Sequence, residues 1–249
     1  MFARIIVCHH NSSVSRGKES MRFTVALQAA LIATTVITAA VAQPLPAVGD
    51  AYVYRVINAY NNETRGQVSH RIDKIDTDHV FVSVTTEMPG TSIATTEVYA
   101  LDGNWLRHPV TNRDQPVDYE FAPAYPAYRF PLDPGKEWSV RVNAVNPATG
   151  EQRSVRVDAK VIGSERIRVP AGEFDTVKIR RAVYAGDSAS YLRLTETVIS
   201  ETEWFAPALG RSVRLTTDSH YQDLARRRGS QVMKGDRNTY ELTSAPLPR

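Results

Sequence analysis

The chain has 249 residues, a formal net charge of +3 and a single cysteine, Cys8. Residues 1–42 carry Arg4, Arg16, Lys18 and Arg22 against Glu19, which accounts for the whole net charge, so residues 43–249 balance. That removes the basic footprint that nucleic-acid binding needs. With no cysteine after position 8, residues 43–249 hold no disulfide, thiolate nucleophile or thiolate metal site.

The N-terminal residues read as targeting, not fold. Residues 1–20 are polar and without a period, and are taken as an over-long start. Residues 21–42 have the order of a secretory signal peptide: positive Met21-Arg22, a mainly apolar run from Val25 to Val41, and small-x-small Ala40-Val41-Ala42 before Gln43. Phe23 to Ala42 is also long enough to span a bilayer. Its Ala and Thr content and the cleavage signal favour export instead. No cysteine follows the cleavage position to take a lipid. The expectation is a periplasmic protein with no integral membrane segment after processing, and with residues 43–249 as a single β domain.

From the first strands onward, period two dominates. Val80, Val82, Val84 and Met88 share one face; so do Trp138, Val140, Val142 and Ala144. Val155, Val157, Ala159 and Val161 oppose Arg156, Asp158 and Lys160, and Val177, Ile179 and Val183 oppose Lys178, Arg180 and Tyr184. Such strands suit antiparallel sheets with one wet face. Turn residues punctuate them: Asn61-Asn62, Pro89-Gly90, Asp102-Gly103, Asp133-Pro134-Gly135, Asn146-Pro147 and Val169-Pro170-Ala171-Gly172. The pattern predicts about ten strands, with a weak helical signal at Tyr221 to Arg228. Gly49-Asp50-Ala51-Tyr52 is echoed by Gly135-Lys136-Glu137-Trp138, and Arg71-Ile72-Asp73 by Arg156-Val157-Asp158. Two similar half-sheets, about 49–118 and 135–221, are the expectation. Between them, residues 119–134 form an aromatic and proline-rich strap with Tyr119, Phe121, Tyr125, Tyr128 and Phe130. Prolines there argue against regular pairing. The fold class expected is all-β: a single antiparallel, strongly curved sheet or half-barrel, with a two-layer β-sandwich as the alternative.

Val169-Pro170-Ala171-Gly172-Glu173-Phe174-Asp175-Thr176-Val177-Lys178-Ile179, followed by Trp204-Phe205-Ala206-Pro207-Ala208-Leu209-Gly210, resembles the TapB-like and related domains of unknown function in proteobacterial periplasmic proteins. Pro131-Leu132 and Gly135 to Trp138 fit the same pattern. The resemblance covers Gly49 to Tyr221 and is most specific over 131–210. It implies a curved antiparallel sheet and an envelope location, and it implies no catalytic residue.

The chemical constellations are thin. His70, His79, His108 and His220 have no metal-ligand spacing; Asp218 and His220 share a strand face without further partners. Glu201 and Glu203 also share a face, with Cα atoms about 6.5 Å apart, a spacing open to acid–base catalysis and better explained by cross-strand ion pairs to Lys178, Arg180, Arg193 or Arg214. Gly186-Asp187-Ser188 reads as a turn, and Arg226-Arg227-Arg228 as a solvated loop. No cofactor, metal or catalytic residue is expected. The strap rings Tyr119, Phe121, Tyr125, Tyr128 and Phe130 are the candidate ligand-binding residues, against the alternative that they complete the core. The function expected is non-enzymatic: an envelope module that binds or assembles a protein partner, or else a carrier of an apolar small molecule such as a lipid. A hydrolase is the remote third.

Overall fold

The computed structural model describes residues 46–112, 115–186, 197–223 and 231–246. The signal segment, Asp187-Ser188 and Arg226-Arg227-Arg228 lie outside the described residues.

Twelve antiparallel strands follow one another around a closed barrel. They are β1 (Ala51–Asn58), β2 (Thr64–Ile75), β3 (His79–Met88), β4 (Thr91–Ala100), β5 (Trp105–Asn112), β6 (Gln115–Tyr125), β7 (Glu137–Val145), β8 (Gln152–Val169), β9 (Gly172–Ala185), β10 (Thr197–Ala206), β11 (Arg211–Asp223) and β12 (Gln231–Ser244). The all-β expectation holds, but the half-barrel and the sandwich are both corrected. β12 pairs back onto β1 from Val53↔Ser244 to Asn58↔Asn238, which hides the two outermost edges that an open sheet would expose. Of the weak helical signal at 221–228, Tyr221 to Asp223 are the end of β11, and the rest lies outside the described residues.

Alternation decides what faces in. Val56, Val82, Val142, Val155, Val157, Val161, Ile179 and Leu242 are at most 1% exposed, and each contributes about 1.5–3 kcal/mol by burial. The outer wall carries ion pairs instead: Arg55 and Arg214 on Glu241, Lys160 on Glu137, and Lys178 on Glu165. A membrane barrel has the opposite polarity, apolar outside. Among the described residues no helix is long and apolar enough to cross a membrane.

The halves β1–β6 and β7–β12 match in detail. Gly49 and Gly135 both have positive φ, 92° and 85°. Their N–H groups donate to Ile72 and Val161 at 2.8 and 2.9 Å. Bulges follow at Ile72/Lys74 and Val161/Gly163, and again at Val98/Tyr99 and Trp204/Phe205.

Candidate functional site

The matched registers place one buried glutamate in each half. Glu97 on β4 pairs across to Val82, and Glu203 on β10 pairs across to Ile179. Both are 2% exposed. A buried carboxylate needs a cation and hydrogen-bond donors, and the two halves supply them differently.

Around Glu203 the arrangement is saturated. Arg181 Nε donates to Glu201 at 2.9 Å, and Nη2 donates to Glu203. Tyr128 donates its hydroxyl to Glu203 at 2.7 Å, and Arg181 Nη1 reaches the Ala127 carbonyl at 3.4 Å. Burial alone would lower the Arg181 pKa, but Glu203 and then Glu201 hold it well above its ordinary value. Burial, reinforced by the charge of Glu203, keeps the Tyr128 hydroxyl protonated. Glu201 and Glu203 do share a face, as expected, but it is the interior one. Their partner is Arg181, not the surface residues Lys178 or Arg180. Both carboxylates are thus bonded to one guanidinium.

Around Glu97 stand a tyrosine and two histidines. Tyr99 donates its hydroxyl to Glu97. His108 Nδ1 lies 3.1 Å and His70 Nδ1 3.7 Å from its oxygens. Trp105 stacks on His108 at 3.7 Å and on Tyr125 at 4.3 Å. Arg211 places Nη2 3.4 Å from His70 Nδ1 and its guanidinium 4.6 Å over Tyr52. That guanidinium occupies the His70 lone pair, and among the described residues no cluster of three such side chains has a geometry to hold a metal ion. Tyr54, whose hydroxyl donates to Ser212 O at 2.9 Å, is pushed up to about 12 by burial.

This half predicts a pH dependence. Burial drives His70 from 6.5 down to about 4, against the opposing charge of Glu97. Between pH 6.5 and 4 the unfolded chain therefore binds a proton that the fold refuses. Stability falls over that window by about 1.4 kcal/mol per pH unit. Glu97 acts in the same sense lower down. Burial opposes its charge, but His108, His70 and Tyr99 outweigh burial and hold it at about 2. The stability it contributes above pH 4.5 is lost as pH falls toward 2. Urea denaturation across pH should show the fall below 6.5, and His70→Phe should flatten it above pH 4.5. An unchanged slope in that variant rejects the assignment.

The strap residues divide. Tyr119, Phe121 and Tyr125 end β6 and are 2%, 5% and 0% exposed. The expectation of an irregular strap is corrected here, since Tyr119 to Tyr125 is strand and only the segment from Pro126 leaves the wall. Trp138 Nε1 donates to the Pro126 carbonyl at 3.0 Å, and Tyr128 N donates to Asn104 Oδ1 at 2.8 Å. Tyr128 is half-buried, 4.8 Å from Phe205, while Phe130 is 39% exposed. Elsewhere, Asp218 pairs with Arg237 at 3.5 Å. Arg181, Glu97 and Arg211 were not singled out from sequence. Arg181 gave a signal: a charge in the apolar phase of β9, between Ile179 and Val183.

Two seams of the wall are sparsely paired among the described residues: β6 with β7, from Glu120↔Val145 to Ala122↔Asn143, and β4 with β5. Among the described residues β4 and β5 pair only at Val98↔Arg107 and Tyr99↔Trp105, and Thr91 to Glu97 pair with β3 alone. A hollow of about 430 Å³ lies there, lined by Ser83, Val84, Thr85, Ala94, Thr95, Thr96, Arg107 and Asp118. The matching seam in the other half, β10 with β11, is laddered from Thr197↔Tyr221 to Ala206↔Arg211.

No family model matches the chain, and no curated protein matches it. Among solved structures it is similar to a candidate lipoprotein from Parabacteroides distasonis (16% identity, TM-score 0.49, 80% of this chain and 96% of that one). A candidate exported protein with YmcC-like fold from Bacteroides fragilis is also similar (14% identity, TM-score 0.48, covering 82% and 98%). So is the hypothetical lipoprotein YmcC from Escherichia coli (9% identity, TM-score 0.37, covering 81% and 87%). All three are described as exported proteins or lipoproteins. None of the three is described as a TapB-like domain.

Proposed function

We propose that this chain is a non-enzymatic binding module of the bacterial envelope that takes up an extended segment of a partner protein along the open edge of β4. The observation that carries this is the β4–β5 seam set beside its twin. The β10–β11 ladder runs the length of β10, so opening the same seam at β4 is not a demand of the fold. Free edges are normally blunted by charge or proline. Thr91-Ser92-Ile93-Ala94-Thr95-Thr96 has neither, and Ile93 is 50% exposed. β5, across the gap, does carry the usual protection in Pro109. An unpaired, uncharged, β-favouring edge is the template for strand addition. The carrier reading has less support, because the rings it needs as lining are packed: Tyr125 lies against Trp105, and Tyr128 against Phe205 and Glu203. The envelope location itself rests on the signal-like residues 21–42.

Hydrogen exchange tests the proposal. Short random peptides are displayed and selected on the protein. A selected peptide, when bound, should slow exchange of the Thr91–Glu97 amides by about tenfold or more, which corresponds to about 1.4 kcal/mol, and leave β10 unchanged. Methylating alternate backbone nitrogens of the peptide should abolish binding. Protection elsewhere, or binding that tolerates methylation, rejects strand addition.

A further inference from the structure

Resting on that reading, we infer that the docked segment is acidic at one fixed position, its carboxylate bound by Arg107. The twin half shows what a guanidinium at this register takes. Arg107 stands opposite Val98 just before the Val98/Tyr99 bulge, and Arg214 stands opposite Trp204 just before the Trp204/Phe205 bulge. Arg214 is bonded through two of its nitrogens. Its Nε donates to Glu241 at 2.9 Å and its Nη2 to the Arg168 carbonyl at 3.0 Å, with the Trp204 ring 5.6 Å away. Glu241 faces Arg214 from the next strand.

Arg107 has the position with a looser partner. Its Nε is buried with no hydrogen-bond partner among the described residues. Its ion pair there is to Asp118, 3.9 Å from Nη2. Glu120 faces Arg107 across β5–β6 as Glu241 faces Arg214, yet it is exposed and forms no ion pair with Arg107 among the described residues. A buried guanidinium nitrogen without an acceptor is costly, and a carboxylate accepting from two guanidinium nitrogens is its best complement. Arg107 also lines the hollow beside Ala94, Thr95 and Thr96, so a strand laid on β4 passes it. Backbone pairing to β4 would supply affinity, and this single ion pair would set the register.

The test selects short random peptides on the full chain and keeps those that protect β4 in hydrogen exchange. The expected pool carries Asp or Glu at one aligned position. Exchanging that acid for its amide in a synthetic peptide should weaken binding to the wild-type protein about tenfold, and Arg107→Gln should bind the two peptides alike. A pool that protects β4 with no acidic position overturns this inference and leaves strand addition standing. A pool that never protects β4 overturns both. Protection of β4 that rises with protein concentration and needs no peptide assigns the edge to a second copy, and also overturns the inference.

Discussion

Arg181→Met should lower the unfolding free energy by about 3–5 kcal/mol at neutral pH. Arg181 and Glu203 have side chains 2% exposed, and Glu201 is 10% exposed. Removing the guanidinium strands two carboxylates in the barrel, with Tyr128 donating to one of them as the remaining side-chain donor among the described residues. Each must then be protonated or stay unpaired, and both cost free energy. Adding Glu201→Gln and Glu203→Gln to Arg181→Met should recover most of the loss, because the penalty belongs to the unpaired charge and not to the missing bridge. Urea denaturation of the single and triple variants checks this. A loss below about 1 kcal/mol in the single variant, the range of an exposed pair, would mean that water reaches the cluster.

Tyr125→Ala should cost about 3–5 kcal/mol, as for other large aromatic truncations in cores. The ring is 0% exposed, stacked 10° from parallel on Trp105 and tilted against Phe121 at 5.4 Å. Its hydroxyl has no hydrogen-bond partner among the described residues. Tyr125→Phe should therefore be neutral or stabilising by up to about 1 kcal/mol, since it removes an orphaned polar group without opening a cavity. Thermal and urea unfolding of the pair separate two roles. A ring that lines a ligand cavity tolerates truncation in the empty protein, whereas a ring that completes the core does not. A mild Tyr125→Ala together with a destabilising Tyr125→Phe would return the strap to the carrier reading.

Both predictions concern groups whose meaning came from position. Val155, Val157, Ala159 and Val161 announced a buried strand face by alternation, and each is 6% exposed or less. Trp138 and Tyr52, marked by their shared Gly-x-x-aromatic start, are buried at 5% and 4%. Asp133-Pro134-Gly135 and Val169-Pro170-Ala171-Gly172 marked the strand ends on either side. Strand identity and facing are local properties, set by pleat and turn chemistry, and so the sequence by itself determined an all-β chain with these inward residues.

Closure was not local. Whether β12 meets β1 depends on twist and stagger summed around twelve strands, and no short stretch of residues encodes that sum. The same holds for the interior charges. Glu201 and Glu203 were visible as a pair, but Arg181 comes to them from β9 and Tyr128 from beyond β6. His70, Glu97, His108 and Arg211 converge from four strands. The open seam is a further case: Thr91 to Thr96 reads as an ordinary strand, and only the pairing of its neighbours decides whether its outer edge is covered. The sequence determined which residues face inward and where strands turn; the tertiary structure alone decided which of them meet, because convergence across a barrel is a property of register and closure rather than of neighbours in the chain.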